Sequence, residues 1–243
     1  MGAQSLTFAV ILNETPNPKP GNQADVLRSL GKLARGLSAL FWGLPAALIA
    51  CADTARTEVL RPFGIVPALA ANALLLFGLW QMGSFQKQER PWRNILDRAK
   101  LLALVNLGLC PFLYWQNRMP GVPFFDTSVL VLILSAMLFL FNLNGVIKQL
   151  GAMLPDETLR QETRLFALLD RWLIVVLVFL AVAYAVMLQD PRLPAMLGER
   201  FDLLETFGFW ALVFFALLPL AMTMALIWKT KETILDGVFG ARH

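Results

Sequence analysis

Residues 127–147, TSVLVLILSAMLFLFNLNGVI, run for 21 positions between Asp126 and Lys148 without a charge. A helix crosses the hydrocarbon core of a bilayer with about 20 apolar residues, within a range of roughly 17–25. Five other charge-free stretches match: 36–52, 62–86, 101–117, 172–189 and 206–228, of 17, 25, 17, 18 and 23 residues. The pattern predicts an all-α polytopic membrane protein with six transmembrane helices. Composition agrees. Of 243 residues, 57% are hydrophobic and 16% charged, against about 45–50% and 25% in soluble domains. A soluble core of this size cannot hide that surplus, which excludes a soluble enzyme.

The charges set the orientation. Segments 1–35, 87–100, 148–171 and 229–243 carry 16 Lys and Arg, whereas 53–61, 118–126 and 190–205 carry 5. Basic residues collect on the cytoplasmic side of short loops, so both termini are expected there, in a bacterial inner membrane. The net charge of +4 therefore reflects topology, and no nucleic-acid partner is expected. Trp80, Trp92, Trp172 and Trp228 fall near inner ends and Trp115 near an outer end, where amphipathic rings prefer the headgroup level. Trp42 reads as plain packing.

The spans group into three hairpins. Odd spans are short and even spans long, and each even span exits into a lysine: Lys87, Lys148 and Lys229. Asp97-Arg98 and Asp170-Arg171 lead into the second and third hairpins, which suggests an internal threefold repeat. Val26, Leu30, Leu33 and Leu37 keep helical spacing, so the approach to the first span is expected to lie along the interface as an amphipathic helix. Residues 1–24, with Pro16, Pro18, Pro20 and Gly21, read as an extended N-terminal tail. Residues 25–243 form a single six-helix domain. No charged segment precedes the apolar run 6–12, so no cleavable signal peptide is expected.

Little catalytic chemistry is on offer. No charge lies within a span, and the only histidine is His243. Cys51 and Cys110 sit in apolar runs without metal spacing, so no cofactor or metal is expected. Asn72, Asn106 and Asn142 are the deepest asparagines. They read as interhelical polar contacts, since amides in lipid bond across helices, or else as the lining of a pathway. Pro45, Pro67, Pro111 and Pro219 are expected to kink their spans. Gly36 and Gly43 are placed to allow close helix contact.

The inner loop carries Leu154-Pro155-Asp156-Glu157-Thr158-Leu159-Arg160-Gln161-Glu162. This run is similar to the start of the coupling segment of importer-type ABC permeases, which also place six spans around such a loop. Thr163-Arg164-Leu165-Phe166 follows, in place of that segment's small residues and Asp-Gly. The resemblance implies a permease subunit docking an ATPase. Without it, Asp156, Glu157, Arg160, Glu162 and Arg164 read as the charged face of an inner helix that docks a partner. The leading expectation is a non-catalytic integral membrane subunit that scaffolds a larger complex. Its partners would be the bilayer and other membrane or cytoplasmic subunits. The alternative is a small-solute or lipid transporter, or an ABC-type permease subunit.

Overall fold

The computed structural model describes residues 20–56, 63–85, 89–119, 121–153, 171–179 and 217–235, with the single positions 161, 165, 168, 169 and 182. Every regular element among them is helical. The helices are α1 (Pro20–Arg56), α2 (Val66–Met82), α3 (Arg90–Leu109), α4 (Pro111–Arg118) and α5 (Pro123–Met153), followed by helical residues 171–179 and 217–235. Among the described residues, two segments are long and apolar enough to cross a membrane, Arg28–Thr54 within α1 and Pro123–Met153. Val66–Met82 is apolar but shorter.

Proline and glycine set the boundaries. Gly64 takes φ +56°, a left-handed value that glycine adopts without penalty, and turns the chain into α2. Gly121 does the same at φ +88° ahead of α5. Pro67 lies in the first turn of α2, where its missing N–H costs nothing. It starts that helix and does not kink it. Pro111 divides the expected third span into α3 and α4, because a proline at that position cannot bond the carbonyl one turn back. Pro45 lies inside α1, which continues past it.

Two antiparallel hairpins form the frame. In the first, Leu33, Leu37, Leu40 and Leu44 of α1 are buried with Leu75, Leu79 and Met82 of α2. Gly36 and Gly78 bring the two backbones together: a Cβ on Gly36 would stand 2.7 Å from the Gly78 carbonyl oxygen. In the second, Trp92, Leu96 and Ala99 of α3 share the core with Leu143, Ile147 and Leu150 of α5. At the other end of this pair, Gln116 Nε2 donates to Asp126 Oδ1 at 2.8 Å. Residues 171–179 run back along α5, with the Arg171 guanidinium over the Phe141 ring. Residues 217–235 return toward the basic end, where Ile234 joins Leu150 and Trp92. α1 and α2 thus run antiparallel, as do α3 and α5, whereas α4 continues from α3.

The core is mostly apolar but takes in several amides and hydroxyls, and many large apolar side chains lie on the surface. Asn72, Asn106, Ser135, Asn144 and Thr223 are buried, while Leu104, Val131, Ile133, Leu138 and Val175 are exposed.

Several expectations change. The approaches to the first and third spans do not form separate interfacial helices. Residues 25–35 continue into α1, and 90–100 into α3, without a break. Their apolar stripes, Leu33 with Leu37 and Trp92 with Leu96, are buried against protein, so no stripe is left over for the headgroups. Residues 20–24, expected within the extended N-terminal segment, belong to α1. Trp92 is fully buried against Phe85, ring centroids 6.3 Å apart, and not an interfacial anchor. Trp42, read as packing, is largely exposed. The long second charge-free stretch holds a helix of only 17 residues, so charge-free length overstates helix length there. Residues 1–19, the loop at 190–205 and the docking residues Asp156, Glu157, Arg160, Glu162 and Arg164 lie outside the described residues.

Candidate functional site: an apolar cavity between the hairpins

A cavity of about 300 Å³ opens where the two hairpins meet residues 171–179 and 217–235. Leu44, Ala47 and Cys51 of α1 form one wall and Leu132, Ala136 and Leu140 of α5 another. Ile174, Leu177, Pro219 and Leu220 complete it. Leu48 and Ile133 line it and are also exposed, so its rim meets the outer apolar surface.

Two of the three candidate asparagines converge here. Asn72 and Asn106 both line the cavity. Asn72 Nδ2 donates to the Ala68 carbonyl at 2.9 Å and faces two sulfurs, Cys110 Sγ at 3.5 Å and Cys51 Sγ at 3.8 Å. One amide therefore ties α2 to α1 and to the α3–α4 break. Both thiols are free.

Asn106 behaves differently. It is 4% exposed, and its Oδ1 has no hydrogen-bond partner. A buried acceptor left unpaired costs about 1–3 kcal/mol. The register set by Ile95 against Gly145 and by the Gln116–Asp126 bond puts Ser135 of α5 level with Asn106. Ser135 Oγ is buried and unpartnered as well. Two orphaned oxygens thus share one level of the bundle.

Asn142 is not part of this site. Its Nδ2 donates to Leu138 O of its own helix at 2.8 Å. The contact between helices is made two residues on, where Asn144 Nδ2 donates to Thr223 Oγ1 at 3.0 Å, both side chains buried. Thr223 Oγ1 in turn lies 2.8 Å from the Pro219 carbonyl, which accepts its proton. The available signal was phase. Asn144 follows Leu140 by one turn on the buried side of α5, while Asn142 shares the spacing of Ser135 and looked equally internal.

Chemically, the cavity offers apolar walls, an amide already committed at Asn72 and a free acceptor at Asn106. Binding pockets of about 300–1,000 Å³ share this composition, mostly apolar with a few polar groups that orient the ligand. Among the described residues no group of three or more His, Cys, Asp or Glu is placed to hold a metal ion. Comparison with family models, with curated proteins and with solved structures gives no match.

Proposed function

We propose that the chain is an integral membrane protein of six spans in three hairpins that binds an apolar, lipid-like molecule in the cavity. This is a non-catalytic role in lipid handling or transport. The unpartnered Asn106 Oδ1 on the wall of a nearly apolar cavity carries the reading. A hydrocarbon alone would fill the volume and leave the acceptor unpaired. A ligand with one O–H or N–H donor satisfies both. At roughly 30 Å³ per small group, the cavity takes about ten heavy atoms, one segment of a lipid.

The membrane placement draws support from the buried amides, the exposed leucines and valines and the antiparallel pairing of α1 with α2 and of α3 with α5. Large exposed apolar residues recur along α1, α2, α3, α5 and 171–179, and contiguous apolar patches are rare on soluble monomers. Both termini then face the cytoplasm, and the bacterial inner membrane fits the basic asymmetry. The threefold repeat is part of the proposal that helix lengths of 37, 17, 20 and 31 residues do not reinforce.

The test compares ligands that differ by one hydroxyl. In lipid nanodiscs, 1-decanol is expected to raise the unfolding temperature more than decane. In Asn106→Leu the two should act alike, and in Ala136→Phe, which fills the cavity, neither should act. Equal responses to alcohol and alkane in the wild type would end the reading. Topology is tested separately in a cysteine-free background. Single cysteines at Thr57, Gly121 and Ala195 should react with an impermeant reagent in intact cells, and those at Gln88 and Gln161 should not.

A scaffolding role is the second reading. It draws on the basic end of the bundle, where Leu33, Trp92, Leu96 and Ile234 are packed beneath the exposed residues Arg28, Arg35, Arg93 and Arg98. That surface suits an acidic partner subunit.

A further inference from the structure

A second concavity lies at the basic end, between α1, the end of α2 and α3. It encloses about 480 Å³ and is lined by Lys32, Phe77, Trp80, Gln81, Ser84 and Lys100. The cavity of the asparagines shares none of these residues.

The lining is graded along the bundle. Phe77 stands highest and is exposed, Trp80 is one turn closer to the basic end and largely exposed, and Ser84 follows on the turn after α2. Lys32 and Lys100 reach in from the flanking helices. Gly83 leaves room for this: a Cβ there would stand 3.0 Å from Lys100 Nζ. Along the membrane normal the order is aromatic carbon, indole at headgroup depth, then hydroxyl and two ammonium groups. A phospholipid presents acyl chain, glycerol ester and phosphate in the same order.

The charge balance is positive. Lys100 Nζ lies 3.3 Å from Asp97 Oδ1, but the carboxylate is 62% exposed, and such pairs contribute little. The carbonyls at the end of α2 also draw Lys100 in through the helix dipole. Ser84 Oγ donates to Gln81 O at 3.0 Å, so its hydrogen is committed and the two ammonium groups are the donors that face the concavity. Among the described residues Lys32 has no ion-pair partner. One ammonium is partly compensated and the other is free.

We propose that Lys32 and Lys100 bind the phosphate of an anionic phospholipid from the leaflet at the basic end, with Trp80 at the ester level and Phe77 against the acyl chain. The site rests on the membrane reading but not on ligand binding in the asparagine cavity. Basic pockets between membrane helices on the cytoplasmic side recognise anionic headgroups, and each lysine near such a surface is worth about a factor of five in affinity.

The experiment uses the full-length, delipidated protein in neutral detergent. Phosphatidylglycerol and phosphatidylcholine with identical acyl chains are added, and bound lipid is counted by native mass spectrometry. Phosphatidylglycerol is expected to bind roughly thirty-fold tighter. Lys32→Gln with Lys100→Gln should remove the preference, and Lys32→Arg with Lys100→Arg should keep it. Arg28→Gln with Arg93→Gln removes two charges from the same end without touching the pocket, and should also keep it. Equal binding of the two lipids, or an unchanged preference in the double glutamine variant, overturns the proposal. So does full competition by inorganic phosphate, which would make the ligand a soluble anion. Alkaline extraction of cell membranes examines the membrane reading by itself: release of the protein into the supernatant would sink both.

Discussion

Gly36 and Gly78 face one another across the first hairpin, each so near that a Cβ would meet the other's carbonyl oxygen, at 2.7 and 3.0 Å. In lipid no hydrophobic gain drives two helices together, because acyl chains are as apolar as leucine. Close backbone approach and dispersion have to hold them, and two facing glycines permit both.

Gly78→Leu is therefore expected to part α1 from α2. Overpacking a tight contact costs about 1–3 kcal/mol, read as loss of thermal stability in detergent. Gly31 has nothing within 4 Å of its would-be Cβ. Gly31→Ala should instead stabilise α1 by up to about 1 kcal/mol through helix propensity. Equal losses in the two variants would contradict the glycine contact.

Asn144 and Thr223 should behave as a coupled pair. Asn144→Leu and Thr223→Val are each expected to destabilise, with a coupling of about 0.6–2 kcal/mol in a double-mutant cycle. Asn142→Leu, whose amide bonds only within its own turn, should have little effect. Additive losses at 144 and 223 would refute the contact.

Asn106→Leu has an unusual expected sign. Replacing a buried acceptor that has no partner should leave the unliganded protein as stable as wild type, or more stable by about 1–3 kcal/mol. Urea unfolding in mixed micelles, after stripping of lipid, measures this. A clear loss of stability would mean that the oxygen is paired in the protein at rest.

Cys51 and Cys110 should be joined by a short bis-methanethiosulfonate reagent once the bundle is loosened enough to admit it. Both sulfurs lie within 3.8 Å of one nitrogen of Asn72, so their separation is small. An intact chain that carries the link will migrate faster on a denaturing gel. Linking only between chains would place α1 and α4 apart.

The helical class and two long apolar helices were legible in the sequence because charges interrupt apolar runs. The runs 36–52 and 127–147 mark the apolar parts of α1 and α5. Lengths were less legible, since Gly64 and Pro67 set the start of α2 inside the charge-free run 62–86. Amphipathicity located the stripes at Leu33 and Trp92 but not their partner, because headgroups and a neighbouring helix ask for the same spacing. Asn72 and Asn106 stood out as polar residues in apolar surroundings. Asn142 stood out equally, and only the rotation of α5 separates it from Asn144. The cavity itself had no signature, since it is made of volume that residues on seven helical runs leave unfilled.

At 1.5 Å per residue, the 37 residues of α1 reach about 55 Å, whereas a hydrocarbon core is about 30 Å thick. One end of this rod is packed in the basic part of the bundle, and the other supplies Leu44, Ala47 and Cys51 to the cavity wall. As far as α1 keeps its course through Pro45, a tilt applied near Arg28 turns the cavity end by the same angle. On the proposed reading, whatever grips the chain near Arg28 would hold a lever that sets the volume left for a ligand.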